Sequence, residues 1–153
     1  MMRRISKLFV VIGALSFCYF SYQLGQRVGR SAEDGVGLKN EPKRIGMLTG
    51  LDPEKAAYYK ELHTNAWEGV LAAIERYNIR NFSIYLKEIE DKQYLFSYYE
   101  YIGDDYDADM RRIAADTTTQ RWWRETDPCQ IPLPEAAAKG EIWTPMEEVF
   151  HTD

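Results

Sequence analysis

The apolar positions of this chain change period several times after residue 43. Ile45–Gly50 is a short apolar run of strand length. From Asp52 the spacing becomes helical: Ala56, Tyr59, His63, Ala66/Trp67, Val70, Ile74 and Tyr77 follow in steps of three and four. This predicts one helix from Pro53 to about Tyr77, with Asp52 as its N-cap and Pro53 at the first helical position. Ile79–Lys87 then alternates as a strand, Glu90-Asp91-Lys92 is a turn, and Gln93–Ile102 is a second long strand. Together they predict a hairpin. Asp104–Asp116 reads as a second helix with acidic residues in its first turn. Thr117–Gly140 carries three prolines and reads as irregular, with a helical turn around Arg121–Arg124. Met146–His151 alternates again and is expected to be the last strand.

The order strand–helix–strand–strand–helix–strand is the ferredoxin-like βαββαβ arrangement, an α+β fold. It places helices on one face of a four-stranded antiparallel sheet. The other face must be covered, and a second copy of the chain is the commonest cover. The expectation is a homodimer, a dimeric α+β barrel.

The N-terminus has a different pattern. Lys7 is followed by nineteen uncharged residues, Leu8 to Gln26, with the apolar core at Leu8–Phe20 and Arg3, Arg4 and Lys7 ahead of it. This is the layout of a signal peptide or a single membrane anchor. No small-x-small cleavage site follows, which favours a retained anchor. The expected organisation is a signal-anchor or transmembrane segment at 1–26, a linker at 27–43 and a folded domain at 44–153. Basic residues ahead of the apolar run imply a single-pass, N-terminally anchored protein with its domain outside the cytoplasm. Secretion after cleavage and a cytoplasmic location are the alternatives.

Charge narrows the partners. Residues 1–43 hold seven Lys/Arg and three Asp/Glu, a formal +4; residues 44–153 hold twelve and twenty-one, a formal −9. An acidic body argues against nucleic acid and highly charged anionic substrates. The two cysteines, Cys18 and Cys129, lie in different parts of this organisation, so no intrachain disulfide is expected. With only His63 and His151 and no CxxC or HExxH, no metal site is expected. The Asp104–Asp109 run lacks the glycine and bidentate glutamate of a calcium loop. No glycine-rich nucleotide motif occurs, and no cofactor is expected.

Gln120-Arg121-Trp122-Trp123 is the candidate for ligand binding. Neighbouring side chains on a helix or strand point in different directions, so one core face does not bury both tryptophans. Flat rings beside charged groups suit a neutral, hydroxyl-rich ligand, the rings covering C–H faces while polar groups bond hydroxyls. The alternative is one core tryptophan and one at the surface or a dimer contact. His63 lies one turn after Tyr59 on the same helix face. It is either a satisfied structural histidine or an acid–base group in a pocket between helix and sheet.

Four blocks together resemble the L-rhamnose mutarotase family: Tyr59-Lys60-Glu61-Leu62-His63, Asn81-Phe82-Ser83-Ile84-Tyr85-Leu86, Gln120-Arg121-Trp122-Trp123 and Met146-Glu147-Glu148-Val149-Phe150. The resemblance covers about residues 44–153. It implies a cofactor-free isomerase, a sugar 1-epimerase that interconverts the α and β anomers of L-rhamnose or a related 6-deoxysugar. It also implies His63 as proton donor, with Tyr59, Phe82, Trp122 and Trp123 at the sugar. The family commonly has a tyrosine where this chain has Phe82. Mutarotation opens the C1–O5 bond, which needs an acid near O5 and a base near the C1 hydroxyl. For the base, Tyr59, a carboxylate such as Asp127, and water all remain open. Two other classes compete: a non-catalytic, membrane-tethered sugar-binding or dimeric interaction module of the same fold, and a cofactor-free monooxygenase-like α+β barrel.

Overall fold

The computed structural model describes residues 41–152. The expected membrane segment and all but the end of the expected linker lie outside the described residues. No helix among those described is long and apolar enough to cross a membrane.

Strand β1, Lys43–Leu51, begins one residue inside the expected linker and is the sheet's hub. It pairs antiparallel with β3, Lys92–Tyr101, from Lys43↔Tyr101 to Leu51↔Gln93. β3 pairs in turn with β2, Ile79–Ile89. Two short strands also lie antiparallel to β1: β4, Gln130–Ile131, and β5, Thr144–Met146. The sheet thus has five strands in the order β2-β3-β1-β4, with β5 also on β1, rather than the four expected. The α+β class and the antiparallel hairpin stand. Glu90 and Asp91 both have positive φ, +49° and +61°. That is the primed turn geometry whose twist matches a two-residue hairpin.

Three longer segments also differ from the sequence reading. The single helix 53–77 is two, α1 at Ala56–Thr64 and α2 at Glu68–Arg76. Thr64 Oγ1 donates to the Lys60 carbonyl (2.9 Å), and Asn65 Nδ2 donates to the Glu61 carbonyl (3.3 Å). Side chains that bond the preceding turn compete with the helix ladder. The chain extends at Trp67 (ψ 134°) before α2 starts. Asp52 caps the turn ahead of α1, accepting from the Glu54 amide.

The second difference is α4, Thr117–Thr126, a full helix inside the stretch read as irregular. It follows α3, Tyr106–Ala115. Asp116 accepts from the Thr119 amide at 2.8 Å, a normal N-cap. Three threonines in its first turn, poor helix formers, concealed it. The third is the C-terminus. Pairing stops at Met146 instead of running to His151, and Val149 and Phe150 are 92% and 82% exposed.

Alternation along β3 turns Leu95, Ser97, Tyr99 and Tyr101 toward the helices, where all four are buried. Tyr99 and Tyr101 join Ile79, Ala73, Met110 and Ile113 in one apolar cluster, and Leu95 joins Leu51, Ala56, Tyr59 and Cys129 in another. Asp109 is also buried, bonded by Asn78, Tyr101 and Arg112, so this member of the acidic run is structural.

Candidate active site

The site lies between the helices and the sheet, in a cavity of about 840 Å³. Every site residue expected from sequence lines it: Tyr59 and His63 from α1, Phe82 from β2, and Trp122 and Trp123 from α4. The volume falls in the range of small-molecule pockets.

Tyr59 and His63 are one helical turn apart, with ring centroids at 4.2 Å. His63 Nδ1 lies 2.8 Å from the Tyr59 carbonyl oxygen. A carbonyl only accepts, so Nδ1 carries the hydrogen and Nε2 is the nitrogen left for a ligand. Trp122 meets the imidazole edge-on at 5.2 Å, and Trp67 backs Trp122 at 5.4 Å. Burial lowers the His63 pKa, partly offset by the carbonyl bond.

The paired tryptophans share the cavity because α4 packs along its wall. Trp122 is 7% exposed and Trp123 half-buried. Trp122 is therefore both core and cavity wall, a combination that neither sequence alternative contained. Thr119, Trp123 and Asp127 follow at intervals of four and all line the cavity.

A β-bulge aims Phe82. The β2–β3 register jumps between Arg80 and Ser83, where Asn81 has φ +51°. The extra residue reverses the alternation. Ile79 faces the helices ahead of the bulge, and Phe82, Ile84 and Leu86 face the cavity after it. Asn81 Nδ2 donates to Glu100 Oε2 at 2.7 Å across the bulge. The Phe82 ring meets Tyr99 edge-on at 5.6 Å.

Burial pushes the Tyr59 hydroxyl far up, reinforced by Cys129 and Asp127. Tyr59 therefore stays protonated at physiological pH and offers its hydroxyl as a hydrogen-bonding group. Burial also pushes Asp127 up, to about 6.

Sequence reasoning missed Thr119, Gln130, Trp143 and Tyr99 as cavity residues. None lies in a recognisable pattern. Thr119 Oγ1 and Gln130 Oε1 are buried without a hydrogen-bond partner among the described residues. Such a group costs about 1–3 kcal/mol if left unsatisfied. Both atoms are able to bond a hydroxyl group.

Known proteins give the same picture. Similar proteins include an L-rhamnose mutarotase of Oceanobacillus iheyensis, 27% identical over 113 residues, which are 72% of this chain and 99% of that one. Another, from Listeria monocytogenes, is 28% identical over 109 residues, covering 71% of this chain and 97% of the relative. The crystal structure of an L-rhamnose mutarotase from Formosa agariphila matches with a TM-score of 0.55 at 20% identity, over 72% of this chain and 99% of that one, which shows a shared fold. With the family model matching residues 44–152, the chain belongs to the L-rhamnose mutarotase family.

Proposed function

We propose that this protein is an isomerase that interconverts the α and β anomers of L-rhamnose by acid–base catalysis from its own side chains. The observation that carries this reading is the convergence in one cavity of an oriented imidazole, aromatic walls and buried polar atoms without partners. The rings cover the apolar faces of a 6-deoxysugar, while Thr119, Gln130 and Tyr59 meet its hydroxyls. His63, as the imidazolium, acts as proton donor at the ring oxygen through Nε2. The test is magnetisation-exchange NMR on L-rhamnose with the full chain. Exchange between anomers accelerated well above buffer is expected, and an unaccelerated rate overturns the reading.

The functional unit in this reading is a homodimer. The sheet face away from the helices carries a cross-strand row of Tyr85, Phe96 and Leu48, and beside it Tyr98 and Met146. Tyr85 is 63% exposed. A contiguous apolar sheet face of this kind suits a second copy of the chain as its cover. The basic-then-apolar N-terminus supports a membrane-anchored protein with its catalytic domain outside the cytoplasm. Fractionation with protease accessibility tests the location; full-length protein in the soluble cytosolic fraction overturns it.

A further inference from the structure

Resting on that reading, we propose that Asp127 is the base paired with His63, taking the proton from the sugar's anomeric hydroxyl while His63 protonates the ring oxygen. Asp127 stands at the junction of α4 and the following 3-10 turn, Asp127–Cys129, one helical turn beyond Trp123 and in the wall of the same cavity as His63. Nearby aspartates are committed elsewhere. Asp52, Asp105 and Asp116 cap turns or helices, and Asp109 sits in a buried network. No hydrogen bond or ion pair among the described residues engages the Asp127 carboxylate, which is half-buried. A half-buried carboxylate without protein partners, facing a cavity, is costly for folding and available for a ligand.

The titratable groups lining the cavity are Tyr59, Lys60 and His63 on α1, Tyr99 on β3, and Asp127. Tyr59 stays protonated, and Lys60 is exposed at the rim. His63 and Asp127 are brought toward each other in acidity: burial lowers the imidazole and raises the carboxyl to about 6. The reaction needs His63 as imidazolium and Asp127 as carboxylate, one proton between the two groups.

The step balances with that one proton. Asp127 accepts the proton of the C1 hydroxyl, and the C1–O1 bond becomes a carbonyl. The C1–O5 bond breaks with its electron pair on O5, which takes the Nε2 proton of the His63 imidazolium and leaves the neutral ring with its hydrogen on Nδ1. The aldehyde turns about C1–C2 and presents its other face. O5 then attacks C1 and returns its proton to His63, while the carbonyl oxygen recovers the proton from Asp127. The opposite anomer forms with no net proton, electron or group consumed.

The experiment compares the full-length wild type, Asp127→Asn and Asp127→Glu by magnetisation-exchange NMR on L-rhamnose. Sugar affinity is read from tryptophan fluorescence and folding from thermal melts. We expect D127N to lose about 10²–10⁴ in exchange rate, the usual range for acid–base assistance. Its affinity should stay within about threefold, and D127E should recover at least tenfold over D127N. The wild-type rate should trace a bell against pH, and D127N should lose one limb. An exchange rate in D127N within threefold of wild type overturns the proposal, as does a rate loss matched by an equal loss of affinity. If D127N does not fold, D127E and the wild-type pH profile decide: a flat profile from pH 5 to 8 overturns the pairing. No exchange by the wild type overturns the function itself, and is thereby distinguished from failure of the Asp127 role alone.

Discussion

His63 donates from Nδ1 to the carbonyl oxygen of Tyr59 at 2.8 Å, so the residue that stacks on the imidazole also selects its tautomer. The bond uses a backbone atom, and α1 supplies it whatever side chain precedes His63 by four. The stacking does depend on the Tyr59 ring. Orientation and tautomer are thus held by separate interactions, and only Nε2 faces a ligand.

Replacing His63 by alanine should leave a cooperative melt, since the ring is only half-buried at the cavity wall. Anomer exchange should fall by about 10²–10⁴. The NMR exchange rate beside a thermal melt checks both. A folded H63A with wild-type exchange contradicts the role.

The two tryptophans should behave differently. Trp122 is 7% exposed and contacts both His63 and Trp67, so Trp122→Ala should cost about 3–5 kcal/mol of stability together with sugar binding. Trp123 is half-buried, and Trp123→Ala should weaken binding more than it lowers the melting temperature. Equal effects on stability from the two substitutions would show that Trp123 is core as well.

Phe82→Tyr should sharpen the preference for L-rhamnose over L-fucose. The bulge at Asn81 directs this side chain to the cavity, so an added hydroxyl gains about one net hydrogen bond, roughly 0.5–1.5 kcal/mol. The ratio of exchange rates for the two sugars, compared in wild type and F82Y, measures it. An unchanged ratio means that the sugar does not reach residue 82.

Stability should respond to pH through Asp127 with a definite sign. Its folded pKa, about 6, lies above the ordinary carboxylate value, so the folded chain holds the proton more tightly than the unfolded one. Its contribution is fully present below about pH 4 and is lost as pH rises through about 6. His63, lowered by burial, works in the other direction, removing stability as pH falls below about 6.5. Comparing Asp127→Asn with wild type isolates the carboxyl. D127N should melt higher than wild type at pH 7.5, and the gap should close near pH 4. A gap that widens on acidification has the wrong sign.

Assembly is read by sedimentation of the full-length protein in a non-perturbing detergent. A homodimer at micromolar concentration is expected from the apolar sheet face around Tyr85 and Phe96. A stable, active monomer would show that the face needs no second copy.

Much of this molecule is local in character and could be read from spacing. Alternation in Ile79–Lys87 and Gln93–Ile102 marks the hairpin, and the three–four stripe marks the helical stretch after Asp52, because side-chain direction follows the backbone period. The aromatic blocks around His63 and Trp122-Trp123 identify residues that share the cavity, and the family resemblance places Phe82 with them. Other features depend on contacts that no period records. The break between α1 and α2 comes from Thr64 and Asn65 bonding back to the preceding turn. The five-strand sheet depends on two short strands, Gln130–Ile131 and Thr144–Met146, that exist only because β1 offers them a partner. Phe82 reaches the cavity through one extra residue at Asn81, which reverses the strand's two-sided code. The standing of Asp127 is likewise tertiary. In sequence it is one aspartate among many. Packing α4 against the cavity half-buries it with no hydrogen-bond or ion-pair partner for its carboxylate among the described residues, and that burial raises its pKa to about 6.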